Sequence, residues 1–347
     1  MSAPLAICAA LHRAALAGAQ SVPEKISPER ALSVHSALDP AADQAAAIHG
    51  VWELMLWVCG FFYLLVLIGV GIVMWRAWRD RARRDPLLAV PEPRLMRGLI
   101  AWTALVVLGL ISLSTVSFFV DRKLIPGHNP ALSIRITGKQ WWWQIEYLND
   151  DPSQQFITAN ELHLPVDQPV HIQLVSTDVI HSFWVPNLSG KRDMIPGRVN
   201  TIELTPRRTG TFRGTCAEFC GLQHAKMSLL VHVDDHDAFE AWRKQQLQER
   251  SAPGDAETRK GEQFFVASTC AMCHAIRGTS ASSHAGPDLT HLASRRTLAA
   301  GTLPLNAGNL GAWLADPQRQ KPGTNMPTID LEPDDLNALV AYLLTLK

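Results

Sequence analysis

The sequence lacks any excess of charge: 32 lysines and arginines balance 32 aspartates and glutamates over 347 residues. A polyanion such as nucleic acid finds no basic surplus to bind. Cysteine is sparse, at six residues, and only one C-x-x-C pair occurs. A four-cysteine zinc site therefore cannot be completed. Long hydrophobic runs are missing after about residue 121, so that part reads as soluble. The length suggests two or three domains. What the sequence does contain is concentrated: two apolar runs near the start, eleven tryptophans with three of them consecutive, and two small clusters of sulfur and imidazole.

The first run, Trp52 to Met74, carries one charge, Glu53, at its start, and the second, Gly98 to Val120, carries none. As helix each spans about 34 Å, enough to cross a bilayer. Buried core helices rarely stay uncharged for so long, so the runs predict a transmembrane hairpin with helices over about 52–75 and 98–120. The connecting residues 76–97 hold Arg76, Arg79, Arg81, Arg83, Arg84, Arg94 and Arg97, whereas the twenty residues before the first run hold no basic side chain. Positive charge stays on the cytoplasmic side. The loop is thus cytoplasmic, and the N-terminus and the large C-terminal part lie on the periplasmic face of a bacterial inner membrane. Arg122 and Lys123 act weakly against this orientation. In the first 20–30 residues, PLAICAALHRAALAGAQS has small-residue sites that suit cleavage. His12 and Arg13 interrupt any apolar core there, which counts against a signal peptide.

From Leu132 the pattern turns to short β-branched and aromatic segments separated by Pro, Gly, Asn and Asp. The segments 132–137, 140–147, 160–164, 170–176, 199–204, 211–214 and 228–233 predict strands of an all-β sandwich or Greek-key barrel. A helix follows in DDHDAFEAWRKQQLQER, and SAPGD is a linker by composition. Beyond it, 257–268, 309–316 and 333–346 read as helices. The resulting division is an N-terminal segment 1–50, a membrane hairpin 51–123, a β domain 124–250, a linker 251–256 and a small helical domain 257–347.

About 90 residues supply little core, so something else must fill the last domain. Cys270-Ala271-Met272-Cys273-His274 announces it. C-x-x-C-H is the attachment signature of c-type haem: the two thiols add to the vinyl groups and the histidine lies under the iron. This part resembles the class I cytochrome c fold, in which a loop methionine closes the other face. Met326, in GTNMPTI, is the residue so implied, and thioether ligation raises the potential. His284 and His291 are rivals, while Met272 is trapped inside the attachment loop. Gly286-Pro287-Asp288-Leu289 matches the family's GPxL stretch, whose proline carbonyl accepts from the proximal imidazole.

The second cluster is Cys216-Ala217-Glu218-Phe219-Cys220-Gly221-Leu222-Gln223-His224-Ala225-Lys226-Met227, with His181 upstream in HSFWVP. Thiolates, imidazoles and one weak thioether suit copper. A mononuclear blue-copper site needs one cysteine. The second allows two coppers to share two bridging thiolates, each with one histidine. Met227 then completes one copper and a backbone carbonyl, that of Glu218, the other. A Cys216–Cys220 disulfide and a four-ligand zinc site stay open as alternatives, but neither uses Met227.

Together these marks resemble subunit II of a haem–copper cytochrome c oxidase with a fused cytochrome c, the caa3 type. The resemblance covers essentially everything from about residue 35. It is carried by the hairpin, Gly138-Lys139-Gln140-Trp141-Trp142-Trp143, Asp178-Val179-Ile180-His181-Ser182-Phe183, Asp193-Met194-Ile195-Pro196-Gly197-Arg198 and the copper loop. It implies a cupredoxin-like Greek-key barrel holding a dinuclear copper centre (CuA), followed by an all-α class I cytochrome c domain. Electrons would pass from a periplasmic cytochrome c or other donor to the covalent haem, then to the copper centre, and on to haem in subunit I, where oxygen is reduced. Subunits I and III are the implied partners. Trp141 matches the aromatic residue through which electrons reach the copper. Packing at the membrane boundary is the alternative for the tryptophan triplet. Glu218 matches a carboxylate that helps hold magnesium against subunit I. One position departs from the family: Leu99 stands where a glutamate commonly opens a proton path, and Glu92, Asp85 and Glu53 do not match that place. A haem–copper nitric oxide reductase with a similar copper domain is the competing assignment.

Overall fold

A computed structural model describes residues 35–79, 92–123 and 130–347. The signal-peptide reading, Cys8, Arg81, Arg83, Arg84, Asp85 and the side chain of Glu92 fall outside the described residues.

Helix α1 (Asp43–Arg79) and helix α2 (Glu92–Lys123) form the hairpin. Both are long and apolar enough to cross a membrane. Their faces carry exposed large apolar side chains, Trp57, Tyr63, Leu99 and Phe119 among them. Phe62 meets Trp102 edge to face, with ring centres 5.8 Å apart. Each helix begins earlier than hydropathy alone predicts. For α1 the reason is a docked first turn: Asp43 N–H donates to the Thr205 carbonyl and Ala45 N–H to that of Leu188. Asp43 also accepts from both Nε and Nη2 of Arg207. Polar and small residues there gain their partners from the β domain rather than from lipid.

The β domain is two five-stranded sheets. One has the order β3 (Phe156–Ala159), β2 (Trp142–Leu148), β1 (Leu132–Lys139), β5 (Val170–Ser176), β8 (Asn200–Leu204). The other has the order β4 (Glu161–Pro165), β10 (Ser228–Asp234), β9 (Gly210–Cys216), β6 (His181–Trp184), β7 (Arg192–Met194). Alternation places the side chains. In β5, Val170, Ile172 and Leu174 point into the core while His171 and Gln173 lie partly exposed. Ile134, Ile136, Trp143, Leu162 and Leu164 join them. Each such burial stabilises by about 1.5–3 kcal/mol. The sequence reading misses β3, β6 and β7, since strands of four and three residues are too short to show a period. Helix α3 (His236–Gln246) closes this domain, with Trp242 packed on Tyr147 and Phe156.

The last domain begins at α4 (Ala256–Ala267), started by a reciprocal cap between Asp255 and Thr258. Then come α5 (Cys270–Cys273), the short hairpin β11 (Thr297–Leu298) and β12 (Leu303–Pro304), α6 (Ala307–Ala315), α7 (Pro317–Gln320) and α8 (Pro333–Leu343). Phe265, Ile276, Leu310, Leu339 and Tyr342 make a separate core. This domain is seated against the β domain. Glu161 of β4 is buried and its Oε1 accepts from the N–H groups of Arg296 and Thr297, both at 2.8 Å.

Candidate functional site

Two sites face each other across that contact. In the first, β6 and β9 run side by side with Phe183 opposite Cys216. His181 at the start of β6 therefore reaches the end of β9, where Cys216 sits. The following loop returns at once: Cys216 N–H donates to the Met227 carbonyl at 2.9 Å. This closed loop brings all the predicted side chains together. Cys216 Sγ lies 3.7 Å from Cys220 Sγ, 3.9 Å from His181 Nδ1 and 3.1 Å from the Glu218 carbonyl oxygen. Cys220 Sγ lies 3.7 Å from His224 Nδ1 and 3.9 Å from Met227 Sδ. His181, Cys216, Cys220 and Met227 are buried. Both cysteines are free thiols, so the disulfide alternative does not describe this structure.

Asp178 orients the first histidine, its Oδ1 lying 2.8 Å from His181 Nε2. That carboxylate is itself fixed by the N–H groups of Gln140 and Val179. Burial draws the His181 pKa down, but Asp178 and Cys216 outweigh it and carry it up to about 9. The Cys220 thiol beside it holds Cys216 well below the ordinary thiol range, and the same pairing pushes Cys220 up. The pair loses one proton readily and holds the second. A soft cation would stabilise the second thiolate, and the surrounding imidazoles and thioether are donors such a cation takes. The chemistry of the donor set thus fits copper, with each cysteine flanked by one histidine. The Glu218 carboxylate points away from this cluster, half exposed, 3.7 Å from Lys191 Nζ.

The second site is a cavity of about 620 Å³ between the helical domain and the β domain. Cys270, Cys273, His274 and Met326 line it, among apolar residues including Phe265 and Leu310. The His274 Nδ1–H donates to the Pro287 carbonyl at 2.7 Å, which leaves Nε2 for a metal. Room, attachment thiols and two axial donors fit a haem. The rivals of Met326 are elsewhere. His291 Nε2 lies 3.1 Å from the Gln248 carbonyl, and neither His291 nor His284 lines the cavity.

Glycine permits both sites. A Cβ on Gly138 would lie 2.8 Å from His181 Cδ2, and one on Gly286 would lie 2.7 Å from His274 Cε1. Each backbone runs directly under a histidine ring that a methyl group would displace.

The three tryptophans divide between the sites. Trp143 is buried in the β core against Phe183. Trp142 lines the haem cavity, with Lys139 Nζ over its ring. Trp141 is buried and lines the same cavity, while its Nε1–H donates to the Cys220 carbonyl at 2.9 Å. The sequence reading assigns no role to Asp178, to Gln140, whose Nε2 also donates to that carbonyl, or to the contacts between the domains. The acid three residues before His181 is the one signal that could have shown the first.

The family model described as the periplasmic domain of cytochrome c oxidase subunit II matches residues 148–233, and that of cytochrome c matches 258–347. Cytochrome c oxidase subunit 2 of Alkalihalophilus pseudofirmus is 34% identical over 324 residues, covering 90% of this chain and 91% of its own length. The Bacillus subtilis protein of the same name is 34% identical over 62% of this chain and 63% of its own. Among solved structures, the periplasmic domain of subunit II of cytochrome oxidase from Bradyrhizobium japonicum aligns with 31% identity over 34% of this chain and 95% of its own, with a TM-score of 0.32.

Proposed function

This chain belongs to the cytochrome c oxidase subunit II family, and from that premise we propose that it carries electrons into a haem–copper terminal oxidase. It takes them from a c-type cytochrome or similar periplasmic donor and gives them to subunit I, which reduces oxygen to water. The complex is then a proton-translocating ferrocytochrome c:oxygen oxidoreductase, held in the bacterial inner membrane by α1 and α2, with both soluble domains periplasmic and subunit III alongside. When bound, haem c and a dinuclear copper centre supply one-electron redox chemistry.

The residues of this chain hold and insulate those groups. Cys270 and Cys273 would anchor the haem, and His274 and Met326 would supply donors to its iron. Cys216, Cys220, His181, His224, Met227 and the Glu218 carbonyl would together hold the coppers. Asp178 and Pro287 each fix one ligand histidine by accepting from its outer nitrogen. His181, Cys216, Cys220 and Met227 are buried, which limits the solvent rearrangement that a redox change at the copper site demands. The Glu218 carboxylate, free of the copper cluster, is available to a magnesium ion at the subunit I boundary.

The observation that carries the reading is Trp141. One buried ring lines the haem cavity and donates to the carbonyl of a copper-ligating cysteine. The test is oxygen uptake by the purified complex supplied with reduced cytochrome c. Uptake that follows donor oxidation supports the proposal. Consumption of nitric oxide without oxygen uptake would transfer the chain to the nitric oxide reductase assignment.

A further inference from the structure

Lys321 is a buried amine that lines the haem cavity but donates to no ligand side chain of either site, and burial draws its pKa down to about 7. It follows α7, five residues before Met326, and is 2% exposed. Its Nζ donates to three backbone carbonyls: Trp141 at 2.8 Å, Lys226 at 2.8 Å and Ala299 at 3.1 Å. An ammonium has three N–H donors, and all three are matched. The acceptors come from three separate segments. Trp141 carries the ring between the two sites. Lys226 sits in the copper loop between His224 and Met227. Ala299 belongs to the helical domain's own wall.

The residues around Lys321 repeat the pattern. Lys226 Nζ donates to the Gln320 carbonyl at 2.8 Å, and Gln223 Nε2 donates to the Pro322 carbonyl. Asn325 Nδ2 donates to the Gln140 carbonyl at 2.8 Å. The loop that presents Met326 to the haem cavity is therefore fastened along its length to the loop that presents His224 and Met227 and to the strand end that presents Trp141. Of these fastenings Lys321 is the buried one with three acceptors. Burying an ammonium is expensive, and an apolar side chain of similar length would fill the space without that cost. What the ammonium adds is direction, since three bonds from one atom fix three segments relative to each other.

We propose that Lys321 is a positioning residue for electron transfer, pinning the Met326 loop to the Trp141 backbone and to the copper loop so that the two redox sites keep one fixed separation. The haem domain then works as a docked relay rather than as a carrier swinging on the 251–256 linker. The inference rests on the proposed haem-to-copper transfer. If that reading fails, the unmodified complex shows no such transfer. If only the pin fails, transfer is present and does not depend on Lys321.

The experiment uses the whole oxidase complex with Lys321→Met, and Lys226→Met for comparison, since the Lys226 side chain makes an exposed contact in the same interface. Haem-to-copper transfer is followed after a light-triggered electron pulse. Loss of a charged hydrogen-bond donor from a buried set predicts transfer slowed by about tenfold or more in Lys321→Met, and by no more than about twofold in Lys226→Met. The haem absorption and the copper EPR signal of Lys321→Met stay as in the unmodified complex, which a general loss of structure would not allow. Transfer within twofold of the unmodified rate with both spectra intact overturns the proposal, as does equal slowing in the two variants. Should Lys321→Met assemble without haem or copper, hydrogen exchange on the unmodified complex decides. Amides of 320–326 that share the slow exchange of 224–227 support the pin, and amides that exchange as freely as the 251–255 linker refute it.

Discussion

Replacing Gly138 by alanine tests whether the copper histidine is held by backbone contact. The new Cβ would lie 2.8 Å from His181 Cδ2 and 3.0 Å from Cγ, short of the 3.4 Å where ordinary contact begins. The ring cannot simply retreat, because Asp178 clamps its far nitrogen at 2.8 Å and the ring itself is fully buried. Staying in place overpacks the site at a cost of about 1–3 kcal/mol. Rotating away sacrifices the Asp178 bond at a similar cost, about 1–3 kcal/mol for a buried charged pair. Alanine returns about 0.4–1 kcal/mol by restricting the unfolded chain. A net loss of about 1–2 kcal/mol is expected, together with a changed ligand position. The assay is thermal unfolding and copper EPR of the detergent-solubilised chain. The unfolding midpoint should fall and the copper signal change, while haem absorption stays as before. An unaltered copper spectrum and midpoint would refute the claim that the Gly138 backbone sets the ring's place.

Cys220→Ser should abolish the hyperfine pattern of an electron shared over two coppers, read by EPR, and a retained pattern would contradict bridging by both thiolates. Met326→Ala should lower the haem potential, measured by redox titration, and leave the copper signal untouched. Burial pushes the Glu161 carboxyl up, but His232 and Thr297 outweigh it, and its pKa lies below the ordinary 4.5. A carboxylate depressed in the folded state stabilises above about pH 4.5 and loses that contribution as pH falls through its lowered value. Acid should therefore loosen the domain contact below about pH 4.5, seen as protease cleavage within 251–255, and Glu161→Gln should weaken this dependence.

The motifs were legible because their chemistry depends on local spacing. Cys270, Cys273 and His274 are adjacent in sequence, and Cys216 to Met227 form one closed loop, so ligand sets could be read without a fold. The strands with alternating apolar residues were also visible, β5 most plainly. The remainder depended on tertiary contact. His181 is named as a ligand from the sequence, but what brings it to the cluster is β6 lying beside β9. Lys321 and Glu161 look like ordinary charged loop and strand residues, and nothing around them in sequence reveals that each is buried against another domain's backbone. Trp141, Trp142 and Trp143 are identical in composition, and their three environments follow from a turn that points successive rings different ways. Helix α1 was drawn short because hydropathy registers lipid contact and not its docked first turn.

The central claim is a fixed route from the helical domain through Trp141 to the copper loop. Time-resolved reduction of the whole complex, followed separately at haem and copper wavelengths, tests it most directly in the unmodified protein and in Trp141→Ala. The account predicts haem reduced first, copper second, and a second phase slowed in Trp141→Ala with both spectra intact. Copper reduced ahead of haem, or a second phase unchanged by the substitution, would contradict it.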